Sequence, residues 1–132
     1  MNRNCDLICH ILKYCQSIKS TILRFGDDFD TFNTDIDYRN SVCMSILQIG
    51  ELSRRLSEDY KNEKSEIPWK QIIGLRNICA HAYNTVDYEG IFEIAHSDID
   101  ELKKFCECEL QFIELVNQPE NQNSYDDEEF EL

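Results

Sequence analysis

Apolar residues recur at three- and four-residue steps along almost the whole chain, and strand-like alternation is nearly absent. This spacing places apolar side chains on one face of an α-helix, so it predicts an all-α fold. The first apolar stripe predicts one amphipathic helix that Gly26 ends. Its members are Leu7, Ile8, Ile11, Leu12, Cys15, Ile18, Ile22 and Phe25. Residues 27–35 are acidic and polar around two phenylalanines, which predicts a loop or a single turn.

The middle of the chain predicts two more long helices. One extends over about residues 37–60, and a charged linker follows at 61–66. Its apolar stripe consists of Val42, Ile46, Ile49, Leu52 and Leu56. Pro68 predicts the start of the next helix, because its missing N–H costs nothing in the first helical turn. That helix is expected to end at about residues 84–85.

The last third of the chain predicts a short helix over about residues 87–95 and then a closing helix. Ser97 precedes several acidic residues, so we interpret it as the N-cap of the closing helix, which Pro119 ends. The pattern as a whole predicts three long helices and about two shorter ones, packed as an antiparallel helical bundle. Residues 1–118 are expected to form this bundle, and residues 119–132 an acidic, disordered tail.

The charge of the chain excludes one class of protein. The 132 residues contain 13 bases and 26 acids, a formal charge of −13. Six of the acids lie in the last thirteen residues, so the remainder carries −7. A protein that coats nucleic acid through a globally basic surface is excluded, because net negative charge opposes phosphate binding. A local basic site stays possible.

The cysteines and histidines give little sign of a metal site. Seven cysteines without a CxxC pair are most simply buried small hydrophobic residues. Cys5, Cys9 and His10 leave metal ligation as an alternative, but no second cluster has zinc-like spacing. We therefore expect no metal and no cofactor, and we interpret His10 and His96 as surface or structural residues.

The apolar segments do not predict a membrane protein. No run approaches the roughly 20 apolar residues that span a bilayer. The first residues lack the charged-then-apolar layout of a signal peptide. We expect a cytoplasmic protein that does not bind a membrane.

The stretch from Arg76 to Tyr83 concentrates candidate chemistry. Asn77 and His81 are four residues apart, so they share a helix face, and the long Arg76 side chain can bend toward His81. An imidazole can transfer a proton to or from a ribose hydroxyl near neutral pH. A guanidinium can hold a phosphate with two hydrogen bonds. This set suits the metal-free cleavage of RNA through its 2′-hydroxyl.

Structural roles are the alternative for the same residues. His81 could cap carbonyl groups at the end of a helix, where positive charge is favoured. Arg76 could pair with an acid such as Glu51. Tyr83 could be a core aromatic residue with an exposed hydroxyl.

The residues from Arg76 to Tyr83 fit the R-x4-H-x-Y motif, and the chain resembles the HepT-like HEPN-domain toxins. Residues 67–77 resemble the Pro-Trp-led approach of that family to its catalytic helix. Residues 49–51, Ile-Gly-Glu, resemble its signature on the preceding long helix. The resemblance covers about residues 5–116 and leaves the acidic tail outside.

The resemblance implies a HEPN-like helical bundle that forms a homodimer. It implies a metal-independent endoribonuclease toxin of a toxin–antitoxin pair, with two Arg–His motifs at a cleft between subunits. It also implies an antitoxin with a minimal nucleotidyltransferase fold, often called MntA, that silences the toxin by AMPylation. Carried over to this sequence, Arg76 and His81 are catalytic and Tyr83 is the AMPylation target. Asn77 and Glu51 support the site.

A second function remains open: a non-catalytic helical binding subunit that docks a minimal nucleotidyltransferase. The acidic balance favours this alternative, whereas the intact Arg76, His81 and Tyr83 favour the ribonuclease. A ribonuclease of this charge must concentrate positive charge locally. The candidates are Arg54, Arg55, Lys61, Lys64, Lys70 and Arg76.

Overall fold

Four long and three short helices account for most of the residues that the structure describes. The computed structural model describes residues 2–85 and 87–116, with the side chains of all of these except 81–85. The helices are α1 (Arg3–Phe25), α2 (Phe29–Thr34), α3 (Ile36–Arg54), α4 (Glu58–Glu63), α5 (Trp69–Thr85), α6 (Tyr88–His96) and α7 (Asp98–Val116). The all-α prediction is confirmed, but the predicted count of three long and about two shorter helices was too low.

The first helix begins and ends as its sequence predicts. The Asn2 side chain accepts a hydrogen bond from the Cys5 N–H at 2.9 Å and caps the N-terminus of α1. Gly26 has φ of 115°, in the region that favours glycine, and its N–H donates to the Ile22 carbonyl at 2.8 Å. Gly26 therefore ends α1 through its backbone conformation.

The expectation of a loop or a single turn at 27–35 was wrong, because α2 lies there. The Asp28 carboxylate accepts hydrogen bonds from the N–H and hydroxyl of Thr31 at 3.0 and 2.9 Å, which caps the helix. The same bonds lower the pKa of Asp28. Phe32 is fully buried, with its ring centroid 5.0 Å from that of Tyr38. Capping and burial together favour a helix in this polar segment.

The helix predicted over residues 37–60 is broken in two. α3 ends at Arg54, and Ser57 adopts an extended conformation and accepts a hydrogen bond from the Tyr60 N–H at 3.2 Å. The Asn4 side chain accepts from the Ser57 N–H at 3.1 Å. Ser57 is therefore the N-cap of α4, and α4 occupies half of the predicted linker at 61–66. A helix cannot continue through a residue held in this conformation.

Ser97 does not act as the N-cap that its position predicted. Its backbone is in the right-handed helical region, and its hydroxyl donates to the carbonyl of Glu93 at 3.1 Å. Ser97 is the single residue between α6 and α7, and it closes α6. It therefore cannot take the extended conformation of an N-cap for α7. The predicted short helix itself is present, with Asp87 as its N-cap.

The long helices pack antiparallel, as predicted. The start of α1 meets the segment that follows α3 through Asn4 and Ser57, while the Tyr38 hydroxyl of early α3 donates to the Gly26 carbonyl at 2.9 Å. α7 lies antiparallel to α1, where Lys19 and Asp100 form an ion pair at 2.6 Å. Isoleucines of α1, α3, α6 and α7 fill the space between the helices and are fully buried.

Two predictions from the sequence fall on residues outside the described ranges. The end of the last helix at Pro119 and the division between 1–118 and 119–132 lie beyond residue 116. Of the helices that are described, none combines the length and the apolar character needed to cross a bilayer. Five of the seven cysteines are buried, Cys9 is half-buried and Cys108 is exposed.

Candidate functional site

A glycine brings the backbones of α3 and α5 into close contact. A Cβ atom on Gly50 would lie 3.0 Å from the Cβ of Arg76, and 3.3 Å from both the Arg76 nitrogen and the Ile72 carbonyl oxygen. Real Cβ atoms rarely come this close to their neighbours, so a larger residue here would have to move α3 and α5 slightly apart. The following residue, Glu51, consequently lies beside Arg76.

Two arginines donate hydrogen bonds to the Glu51 carboxylate. Its Oε1 accepts a hydrogen bond from Nη1 of Arg76 at 3.2 Å and one from Nε of Arg54 at 3.4 Å. Nη2 of Arg54 donates to Oε2. The pKa of Glu51 is lowered, chiefly by the hydrogen bonds from Arg54 and then by the charges of Arg54 and Arg76. The carboxylate therefore stays ionised and links the two long helices.

The sequence-predicted site is only partly visible. The structure brings Arg76 and Glu51 together, as the structural alternative for Arg76 anticipated, and leaves 47% of the Arg76 side chain exposed. Asn77 is exposed at the next position. His81 and Tyr83 continue the same helix, but their side chains lie outside the described part of the structure. Their positions relative to Arg76 stay predictions.

The local basic residues are partly neutralised. Lys61 pairs with Glu58 at 3.1 Å, and Lys64 pairs with Glu109 at 3.3 Å. From the sequence, Arg54 was expected only as a source of positive charge, and its bond to Glu51 was missed. The spacing of three residues between Arg54 and Glu51 on one helix was the available signal.

Two buried thiols lie between α3 and α5 next to the motif. A hydrogen bond between Cys43 and Cys79, together with burial, raises the pKa of Cys79 far above its usual value. These cysteines behave as small core residues. Among the residues that the structure describes, no group of three His, Cys, Asp or Glu side chains is arranged to hold a metal ion.

The other histidines contact helix backbone, in agreement with the structural interpretation. His96 Nε2 lies 2.5 Å from Oδ1 of Asp27, and its Nδ1 lies 2.8 Å from the Phe92 carbonyl oxygen. His10 Nδ1 lies 3.0 Å from the Asp6 carbonyl oxygen. None of these three contacts involves Glu51 or Arg76.

Comparison with known proteins identifies the family. The family model described as "Ribonuclease HepT-like" matches residues 11–109, which include Glu51, Arg76, His81 and Tyr83. The chain belongs to the HepT-like ribonuclease family. The resemblance and the enzyme class inferred from the sequence are thereby confirmed, whereas the roles of individual residues in this HepT-like chain stay predictions.

Named relatives agree with this family. The chain is 35% identical over 92 residues to "Putative RNase MJ1380" of Methanocaldococcus jannaschii, covering 63% of this chain and 84% of the relative. It is 32% identical over 95 residues to "Putative RNase TTE0752" of Caldanaerobacter subterraneus, covering 72% and 83%. It is 32% identical over 75 residues to "Probable ribonuclease HepT" of Thermococcus cleftensis, covering 57% and 68%. No solved structure matches the chain.

Proposed function

We propose that this HepT-like chain is a metal-independent endoribonuclease toxin of a toxin–antitoxin pair, with Arg76 and His81 as its catalytic residues. The ion pair between Glu51 and Arg76 carries the proposal. It fixes a guanidinium at the protein surface, half-exposed, on the helix that presents His81 five residues later. On an ideal helix this separation is about 7.5 Å along the axis and about 140° around it, so the long Arg76 side chain must bend toward His81 for both to contact one phosphodiester.

The proposed chemistry divides between the two side chains. The 2′-oxygen of a ribose attacks the adjacent phosphorus, its proton leaves, and the bond to the 5′-oxygen of the next nucleotide breaks as that oxygen gains a proton. His81 transfers protons between these oxygens. Arg76 stabilises the charge on the phosphate. Its bond to Glu51 engages one of the five N–H donors of the guanidinium and orients the group.

A homodimer would supply a second Arg–His motif at the same cleft, so that one imidazole accepts a proton while another donates one. Each of the two helices that form the site also has an exposed apolar residue, which supports an interface between copies that involves these helices. Met44 of α3 is 55% exposed, and Ile78 of α5, two residues after Arg76, is 43% exposed. A second copy would remove both from water.

The proposal is tested by RNA cleavage with the purified protein in EDTA. We expect the parent, a dimer by light scattering, to cleave RNA but not DNA. Arg76→Ala and His81→Ala should lose about 10²–10⁴ in rate and should no longer arrest growth when expressed. Cleavage by both variants at the parental rate, or loss of parental activity in EDTA, would contradict the assignment. A folded parent that binds a minimal nucleotidyltransferase without cleaving RNA would favour the alternative of a non-catalytic docking subunit.

We further propose that the antitoxin partner, an MntA-like nucleotidyltransferase, silences the toxin at Tyr83. The phenol oxygen would attack the α-phosphate of ATP, lose its proton and release pyrophosphate. The attached AMP would place negative charge and bulk two residues from His81, where an RNA phosphate must bind. Intact-mass spectrometry after incubation with the partner and ATP should show one or more added AMP groups. Tyr83→Phe should gain none while staying folded, and its modification at the parental rate would place the acceptor elsewhere.

A further inference from the structure

The α3–α5 site contains one more arginine than the proposed chemistry uses. Nε of Arg54 and Nη1 of Arg76 lie 3.4 and 3.2 Å from the same carboxylate oxygen of Glu51. Two positive groups on one negative group leave a net charge of +1 at the surface of an acidic protein. Such a concentration of guanidinium groups favours a phosphate ligand.

The contact between Arg54 and Glu51 is open to exchange with a ligand. The two residues are one turn apart at the end of α3, and 53% of the Arg54 side chain is exposed. The pair is bidentate, through Nε and Nη2 of Arg54, but it is exposed, so water, salt and other anions compete with it. A phosphate of a bound strand can also accept two hydrogen bonds from a guanidinium, so it can take the place of Glu51 as the partner of Arg54. For Arg76, the close packing of α5 at Gly50 places the backbone and Cβ beside α3.

We propose that Arg54 binds a backbone phosphate of the RNA next to the phosphate that Arg76 contacts, and that it releases Glu51 on doing so. This inference rests on the proposed ribonuclease function. Released from Arg54, the Glu51 carboxylate keeps its hydrogen bond to Arg76. Binding of the strand would thus strengthen the contact that orients the catalytic guanidinium.

The surroundings of Arg54 extend the positive surface. Arg55 is exposed at the next position, and its charge contributes to the lowered pKa of Glu51. Nζ of Lys61 lies 3.4 Å from the Arg54 carbonyl oxygen, but this side chain is only 10% exposed and pairs with Glu58, so the added surface charge comes from Arg55. The end of α3 therefore offers positive charge on the side of Arg76 away from the apolar Met44.

The test compares two arginines of equal charge at opposite ends of the bundle. Arg54→Gln removes the proposed phosphate ligand. Arg24→Gln removes an exposed arginine from the last turn of α1, at the other end of α3. Arg54→Lys keeps the charge. Each protein binds a fluorescent RNA made uncleavable by 2′-O-methyl groups, and anisotropy gives the affinity over a series of salt concentrations. Cleavage of the unmodified RNA is measured in parallel.

We expect Arg54→Gln to bind about tenfold more weakly than Arg24→Gln near physiological salt. Its plot of log affinity against log salt should be shallower by roughly 0.7, because the variant neutralises one fewer phosphate of a single strand. Arg54→Lys should restore most of this slope. KM should rise more than kcat falls.

Equal affinity and slope for Arg54→Gln and Arg24→Gln would overturn the inference. A fall in kcat with unchanged binding would also overturn it, since Arg54 would then act only through Glu51. A parent that binds RNA without cleaving it, with a shallower slope for Arg54→Gln, would support the phosphate contact while contradicting the ribonuclease function. Failure of the parent to bind RNA would overturn the phosphate contact.

Discussion

Two polar side-chain contacts at opposite ends of the bundle join residues far apart in the sequence. Glu51 and Arg76 are 25 residues apart, and Asp27 and His96 are 69 apart. Both ring nitrogens of His96 have partners, and its ring lies 4.4 Å from that of Phe92. Arg76 instead engages Glu51 through one nitrogen and keeps nearly half of its side chain exposed. The presence of a titratable residue is therefore a poor guide to function. The contacts that its side chain makes in the fold are a better guide.

The two pairs also differ in what holds them. His96 is the last residue of α6, where its imidazole lies beside the carbonyl of the preceding turn. Glu51 and Arg76 lie within two long helices that Gly50 allows to touch. Residues on rigid, closely packed helices keep their geometry when a ligand binds, which suits a catalytic group. The contacts of His96 are instead suited to holding the C-terminal end of α6 in place.

Paired alanine variants give the largest expected contrast. Arg76→Ala should lower RNA cleavage by about 10²–10⁴ with little change in melting temperature, because its side chain is half-exposed. His96→Ala should keep the cleavage rate but destabilise the fold by about 1 kcal/mol, because it removes a hydrogen-bonded link. Cleavage assays and thermal unfolding on both proteins measure this. If His96→Ala lost activity without losing stability, the structural role assigned to His96 would be wrong.

A glycine pair tests the close approach of the helices. Gly50→Ala should destabilise the fold by about 1–2 kcal/mol, because two of the three atoms nearest its new Cβ belong to the α5 backbone. Gly74→Ala should stabilise it by about 0.5–1 kcal/mol, since a Cβ there meets nothing within 4 Å and alanine favours the helix. Chemical denaturation gives both values. Equal stability of the two variants would show that α5 does not need the glycine.

The smallest expected effect concerns the titration of Glu51. Its pKa is lowered in the folded protein, so its ion pairs are intact above the usual carboxyl range and break only as the pH falls through that lowered pKa. Arg54→Gln should raise the pKa toward its ordinary value more than Arg76→Gln does, because the Arg54 hydrogen bonds are the largest cause. Carboxyl carbon NMR titration measures this. A larger rise of the Glu51 pKa in Arg76→Gln would contradict the prediction, since Arg76 would then have the larger effect.

Local signals explain which helix boundaries could be predicted. Gly26 ends α1 through its own backbone, so the sequence predicts it directly. The break before α4 carried a comparable signal in Ser57, followed by two acids, but the apolar stripe concealed it. At Ser97 the sequence predicted an N-cap that the structure does not have. Serine suits an N-cap, but its place between two abutting helices prevents one. Side-chain type predicts capping only where the backbone can take the cap conformation.

By itself the sequence determined the helical class, the long helices and the family, because helical periodicity and a short motif such as that from Arg76 to Tyr83 are properties of neighbouring residues. Only the tertiary structure decided what Glu51 does. Its bond to Arg76 depends on two helices meeting at Gly50. Its bond to Arg54 is one of several local pairings that the sequence allows. Contacts between distant residues follow from how whole helix faces pack, and no local pattern specifies that packing.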